Sequence, residues 1–387
     1  LHGAPGRNLK AEFEVLLTRA ETKFGKYPDY TFDDPSRAFS SEAQTIFEGY
    51  TDDTGHAKIN ATLQTADAAP GMLNAIFRGK AFEESGIIPH FIVNGDKTVE
   101  RLMQDKKHFI FNWLEEKKRL FELIKNADIA FIDSYIAEQA FYETIAETVE
   151  TAVYIDDTMR LDYPRGIIVN GCIYAEELVY PLKEKTACLL GSRYVPLRKE
   201  FWDVPEKEIK DAAGSIVLTF GGDDSRNMTP SILRLLQSRH PAVAKKIIIG
   251  KAFKNIEEIE SLRDDRTELI YYPDAEGMKK AMLESDITIS AEGQTLYELA
   301  RVGVPTIAVA VADNQMNNIN GWQKAGFIEY AGWWEDRALL QQIEKSLELL
   351  QNSALRDNMS KAGRSFVDGQ GARMVVREII ELDKNYL

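Results

Sequence analysis

The chain has 387 residues, enough for two domains and a large core. Hydrophobic residues make up 44% and charged residues 28%, ordinary proportions for a water-soluble protein, while a formal net charge of −14 argues against a nucleic-acid binder, which needs a basic footprint. No apolar run approaches the ~20 residues of a membrane span, and residues 1–10 lack the apolar core of a signal peptide. The two cysteines, Cys172 and Cys188, read as free thiols of a cytoplasmic protein, and no His/Cys cluster has metal-ligand spacing, so no metal or other cofactor is expected.

Residues 1–45 read as an N-terminal extension. Ala11 to Phe24 fits an amphipathic helix with Phe13, Leu16 and Leu17 on one face, followed by a loop rich in Pro, Asp and Ser. From residue 87 the pattern becomes regular. Strands are expected at 89–93, 128–132, 151–155 and 166–169, with helices at 96–125, broken near Lys106 and Lys107 with a short apolar segment HFIF after the break, and at 136–148. His90, His108 and His240 read as structural, with His108 packed at a helix end. The stretch 191–214, with Pro196, Pro205 and a charged run, reads as an interdomain linker. A second series of strands follows at 215–220, 246–249, 268–271, 286–290 and 305–310. Helices are expected at 229–239, 254–263, 274–284, 294–302, 314–326, 335–351, 353–365 and 370–384. Strands alternating with helices imply doubly wound parallel sheets. The expected organisation is an α/β chain of two Rossmann-like domains, 46–195 and 196–387, facing a cleft, with the final helix able to pack back on the first domain.

Two loops carry the chemistry. SIVLTFGGDDSRNMT reads as strand, Gly221-Gly222 turn, then helix, and glycines at such a turn let the backbone approach a phosphate. DITISAEGQTLYEL is another strand, turned at Gly293 into a helix that carries Glu298. Two such strand ends in one parallel sheet converge where open α/β sheets bind ligands. A diphosphate at the first loop and a ribose on the carboxylate at the second would suit a nucleotide-sugar. Asp223 and Asp224 would repel a diphosphate if both pointed inward, so backbone amides are expected to bind it, with the carboxylates turned to cap the helix. Asp156 and Asp157 have two open readings, paired carboxylates for acid–base work or a turn cap.

These segments, together with YIDDTMRLDYPRGIIVNGCIYAEE, LLGSRYVPLRKEF and VPTIAVAVADNQ, resemble the UDP-2,4-diacetamido-2,4,6-trideoxy-β-L-altropyranose hydrolases of pseudaminic acid biosynthesis. That family is related to spore-coat polysaccharide proteins and has the GT-B fold. The likeness runs from about Phe91 to Gly326. It implies that Gly221, Gly222 and Asp223 hold the diphosphate region, that Ser290, Gln294 and Thr295 line the same pocket, and that Glu298 takes the ribose hydroxyls. It places Asn314 and Gln315 facing the sugar, and Asp133 and Tyr135 beside the reacting carbon. The family opens with Gly-x-Gly-His-x-x-Arg, whose histidine activates water. The matching candidate here is His56 after Gly55, with Ile59 in the place of the arginine. In a second alignment Gly71 takes the histidine's position and the base is absent.

The resemblance implies hydrolysis of a UDP-linked amino-deoxysugar at the anomeric C–O bond, releasing UDP and free sugar. Two other functions stay open: a GT-B glycosyltransferase passing the sugar to an acceptor, and an inactive nucleotide-sugar-binding protein.

Overall fold

The computed structural model describes residues 10–19, 43–50, 58–59, 73–82, 89–95, 99–100, 103, 106–181 and 183–386. The chain divides into two compact units, Leu1–Trp113 and Leu114–Leu387.

In the first unit, strands β1 (Lys10–Arg19), β2 (Ala43–Tyr50) and β3 (Leu73–Phe82) form an antiparallel sheet in the order β2-β1-β3. Phe13 stands opposite Phe47, and Val15 opposite Phe77. This corrects the helix expected over Ala11 to Phe24. Within KAEFEVLLTR the residues Ala11, Phe13, Val15 and Leu17 alternate with Glu12, Glu14 and Leu16, a period-2 pattern that competes with the helical one. Pairing on both sides decides for the strand, and Val15 is fully buried. Two short parallel strands follow, β4 (Phe91–Val93) and β5 (His108–Ile110). β5 falls on the apolar segment HFIF expected after the break near Lys106 and Lys107, and His108, expected at a helix end, starts a strand, its ring Nδ1 2.7 Å from the Lys106 carbonyl.

The second unit opens with α1 (Lys117–Ile124), β6 (Ile129–Asp133), α2 (Gln139–Thr148), β7 (Thr151–Ile155), β8 (Gly166–Asn170) and β9 (Thr186–Leu190). The four strands make a parallel sheet in the order β6-β7-β8-β9. β9, five residues of TACLL, was not expected from the sequence.

The rest builds one doubly wound sheet. Its elements are β10 (Ser215–Thr219), α3 (Met228–Arg239), β11 (Ala244–Ile249), α4 (Ile256–Ser261), β12 (Thr267–Tyr271), α5 (Ala275–Leu283), β13 (Ile287–Ala291), α6 (Gln294–Val302), β14 (Thr306–Ala310), α7 (Met316–Lys324) and β15 (Ile328–Trp333). All six strands are parallel, in the order β12-β11-β10-β13-β14-β15. Numbered within the sheet this is 3-2-1-4-5-6, the Rossmann order, with its switch point between β10 and β13. Both faces are buried, so the strands are almost continuously apolar. Ile216, Leu218 and Phe220 pack with Leu233 and Leu236 of α3 on one face, while Val217 packs with Met278 of α5 and Leu299 of α6 on the other.

Three helices close the chain: α8 (Leu339–Leu349), α9 (Ser353–Phe366) and α10 (Gly371–Tyr386). Val375 and Ile379 of α10 bury themselves against Val153, Val169 and Leu189 of the four-stranded sheet. The last helix therefore crosses back to the first sheet of this unit. The two sheets are the α/β, two-domain Rossmann-like arrangement that the alternating pattern implies.

Candidate functional site

A cavity of about 740 Å³ opens at the switch point, at the C-terminal ends of the strands of the six-stranded sheet. Gly221, Gly222 and Asp223 after β10 line it, as do Gln294, Thr295 and Glu298 from the start of α6. These six sequence-expected residues come together in one pocket.

Local conformation fits the Gly-Gly turn to a close ligand. Gly221 has φ +72°, a left-handed conformation that glycine adopts without strain, and a Cβ at either Gly221 or Gly222 would project into open space. Across the pocket, Gly250 follows β11 so closely that a Cβ there would overlap the Gly222 carbonyl, which accepts the Ala252 N–H at 3.0 Å. The Gly222 carbonyl is thereby turned into the protein. Among the described residues no backbone hydrogen bond is donated by the N–H of Gly222 or Asp223.

The two aspartates after the turn divide their work. Asp224 is buried and accepts the backbone N–H of Met228 at 2.9 Å and of Thr229 at 3.0 Å, with Asn255 Nδ2 at 2.9 Å. It caps α3, and it takes first-turn N–H groups that would otherwise be open to a phosphate. Burial pushes its carboxyl up while these hydrogen bonds pull it down. Asp223 is exposed at the pocket wall.

Glu298 is nearly fully buried and is gripped by Arg198, whose Nε lies 2.7 Å from Oε1 and whose Nη2 lies 2.8 Å from Oε2. The pair holds Arg198 above the usual guanidinium range, chiefly through that hydrogen bond. A carboxylate offers about four acceptor positions. Arg198 uses two, which leaves acceptor capacity for a pair of hydroxyls. Arg198 is a residue that sequence reasoning missed, and so is Lys251, which lines the same cavity after β11. Arg198 sits in the 191–214 segment, whose carbonyls are tied to the six-stranded half. Arg301 Nε donates to Phe201 O at 3.1 Å, and Arg356 Nη2 donates to Lys210 O at 2.8 Å. Gln294 adds a hydrogen bond from Nε2 to Pro196 O at 2.9 Å.

Three expected residues take other positions. Ser290 is buried, and its hydroxyl donates to the Ala291 carbonyl at 2.7 Å. Gln315 accepts the Val311 N–H at 2.8 Å through Oε1 and donates from Nε2 to Glu292 O at 2.6 Å, so its amide knits two loops together. Asn314 is exposed in the turn before α7.

A second cluster gathers where the four-stranded sheet meets the loop after β13. Tyr135 donates its hydroxyl to Asp157 Oδ2, and Tyr174 donates to the Asp157 carbonyl. Burial, reinforced by the Asp157 charge, raises the Asp133 carboxyl. The Ile173 N–H donates to the Tyr297 hydroxyl at 3.0 Å, which in turn donates to Asn318 Oδ1 at 2.7 Å. Glu292 lies beside Asn318, nearly fully buried, and burial pushes its carboxyl up to about 8 against that neighbour's hydrogen bond. Glu292 Oε1 and Asp157 Oδ1 have no hydrogen-bond partner among the described residues. The neighbouring Asp156 is architectural: it accepts from Tyr180 Oη at 2.7 Å and closes the turn to Arg160 at 3.4 Å. His56 lies outside the described residues.

Comparison with known proteins falls into two parts. The family model of the bacterial alpha-2-macroglobulin MG5 domain matches residues 1–87, the stretch that contains His56. The chain is also 23% identical over 234 residues to an uncharacterised protein of Methanocaldococcus jannaschii, covering 57% of this chain and 48% of that one. It is 23% identical over 258 residues to the pseudaminic acid cytidylyltransferase and UDP-2,4-diacetamido-2,4,6-trideoxy-β-L-altropyranose hydrolase of Helicobacter pylori, covering 66% and 46%. The chain thus spans about half the length of these relatives. Among solved structures, MurG of Acinetobacter baumannii superposes with a TM-score of 0.56 at 15% identity, over 75% of this chain and 90% of that one. The last likeness shows the GT-B type of fold.

Proposed function

We propose that the chain binds a UDP-linked amino-deoxysugar and cleaves its anomeric C–O bond with water, releasing UDP and free sugar for the biosynthesis of a surface polysaccharide or nonulosonic acid. The observation that carries the nucleotide half is the switch-point cavity, where an open Gly221-Gly222 turn faces Glu298 and its Arg198 partner. In this reading the diphosphate lies on the glycine turn near Lys251, and the ribose hydroxyls use the free acceptor positions of Glu298. The Helicobacter pylori relative carries a UDP-sugar hydrolase in its name, which supports the hydrolytic half.

The water's proton goes to a carboxylate in this reading. His56 belongs to the segment matched by the MG5 model, whereas Asp133 is held up in pKa by burial beside Asp157, which makes it a better proton acceptor. Tyr135 fixes Asp157 next to it. Loop amides would take up the charge developing on the departing diphosphate.

The test is UDP release from a panel of UDP-sugars without acceptor. One UDP and one free sugar per turnover supports the reading. UDP that binds but is never released from any sugar rejects hydrolysis. The fold shared with MurG favours a second reading, transfer to an acceptor, and release that depends on an added acceptor would select it.

A further inference from the structure

Near its start, α6 serves two neighbours. Gln294, Thr295 and Glu298 line the nucleotide cavity. Tyr297, the residue before Glu298, stands about 100° round the helix from it. Its side chain turns into the protein: the residue is 3% exposed, and its ring packs edge-on against Trp322 with ring centres 5.3 Å apart. The hydroxyl works as donor and acceptor at once. It accepts the Ile173 N–H at 3.0 Å and donates to Asn318 Oδ1 at 2.7 Å. Ile173 lies in the loop after β8, so the bond ties the four-stranded sheet to the nucleotide helix. Packing holds the two together, since the Ile173 side chain sits on the same core as Tyr297 and Trp322. From Ile173 the connection runs on. Its neighbour Tyr174 donates to the Asp157 carbonyl, and the Asp157 carboxylate accepts from Tyr135, just past Asp133 at the end of β6. One hydrogen-bonded path thus leads from the pocket-lining part of α6 to the side of the proposed proton acceptor. Another link across the same seam, Lys324 to Glu177 at 2.6 Å, joins two exposed side chains, and water and salt weaken it.

We infer that Tyr297 is a positioning residue: through the Ile173 amide it sets the loops of the four-stranded sheet, and with them Asp157 and Asp133, against the nucleotide held by α6. This rests on the UDP-sugar reading above and adds the residue that joins its nucleotide half to its hydrolytic half. The tie has a direct physical signature. The Ile173 amide exchanges its hydrogen with water when the bond to Tyr297 opens. A positioning tie opens together with a shift of α6, and that shift spoils the pocket. UDP, which binds the intact pocket, then suppresses the opening by a factor that approaches about a hundred when UDP is at 100 times its Kd. A bond that merely holds the fold together opens to the same extent with and without UDP.

The experiment is hydrogen exchange of the full chain with and without saturating UDP, read by mass spectrometry in peptides that cover Ile173, with UDP affinity measured by calorimetry. The expected result is that UDP slows exchange at Ile173 at least about tenfold in the parent. Tyr297→Phe keeps the ring against Trp322 and removes the acceptor, so it should bind UDP as the parent does and lose the UDP effect at Ile173. Lys324→Ala, which breaks the exposed ion pair across the same seam, should keep the effect. A parent that binds UDP but exchanges Ile173 at one rate throughout overturns the positioning role and leaves the nucleotide reading standing. An effect that survives in Tyr297→Phe, or that Lys324→Ala abolishes as well, overturns the assignment to Tyr297. Loss of UDP binding in Tyr297→Phe overturns it too, since the residue would then belong to the pocket itself. A parent that does not bind UDP overturns the nucleotide reading and this inference with it.

Discussion

Arg198 and Glu298, one hundred positions apart, meet in a two-pronged ion pair of 2.7 and 2.8 Å at the wall of the candidate nucleotide pocket. The pair is unequal in its surroundings, since the side chain of Glu298 is 4% exposed and that of Arg198 is 44% exposed. Removing the arginine strands a buried charge, whereas removing the carboxylate leaves a cation that water can reach. Arg198→Ala should therefore cost more stability than Glu298→Ala, about 1–3 kcal/mol after allowing for the half-exposed partner. Glu298→Ala should weaken UDP binding about tenfold or more by losing acceptors for ribose. Melting curves and UDP titrations of the two variants decide. The reverse order of stability, or full UDP affinity in Glu298→Ala, would reduce the pair to a structural tie.

Gly222→Val should leave the fold intact and abolish UDP binding. A Cβ at Gly222 meets nothing within 4 Å, so the side chain has room, but that room is the pocket. An unchanged melting temperature with lost UDP binding is the expected outcome. Near-normal affinity in a folded Gly222→Val would move the diphosphate to another place.

Lys251→Ala tests the same diphosphate from the opposite wall. Lys251 is exposed, so no stability is at stake, and it shares the cavity with Asp223 and Glu298, whose charges oppose an anion. Its removal should weaken UDP more than uridine, and the loss should shrink at high salt. Equal losses for uridine and UDP would show that the lysine does not sense the phosphates.

Much of this was legible because buried parallel strands announce themselves. TAVYI at 151–155 is the strand the pattern implies, and α6 begins and ends at 294 and 302 as the spacing of its apolar residues requires. The Gly-Gly turn and Glu298 were readable since each sits at a strand end or helix start. Arg198 was not, because it lies in a segment without periodicity and its partner comes from far along the chain. Lys251 was hidden for a similar reason, since a lysine after a strand gives no local signal. Residues 10–19 show the opposite failure: Phe13, Leu16 and Leu17 satisfy a helical face, and only pairing with β2 and β3 turns them into a strand. Gly55-His56 fits part of a catalytic motif by type and order, and it lies in the stretch that the MG5 model matches, outside the described residues.

Asp224→Ala should lower stability by about 1–2 kcal/mol, the loss of a helix cap. Its carboxylate holds the first-turn amides of α3 together with Asn255. The same change opens those amides, so UDP affinity should hold or improve while the melting temperature falls by several degrees. A variant as stable as the parent would mean that water replaces the cap without cost.

Glu292 should leave a signature in the pH dependence of stability. Its carboxyl is pushed up from 4.5 to about 8, chiefly by burial. The folded chain then holds this proton more tightly than the unfolded chain does. Below about 4.5 both states are protonated and the group's contribution is complete. As pH rises from about 4.5 to about 8 the unfolded state has lost the proton and the folded state keeps it, so stability declines. Above that window both states are ionised and the decline stops. Asp133 and Asp224 are also raised and add slope of the same sign, so the parent alone does not isolate Glu292. Glu292→Gln does, since an amide cannot titrate and keeps nearly the same shape. The expected outcome is a gap in melting temperature that grows in favour of Glu292→Gln from mildly acid to mildly alkaline solution. Parallel curves across that window would show that Glu292 ionises freely in the folded chain, and that the buried site reaches more solvent than its 5% exposure implies.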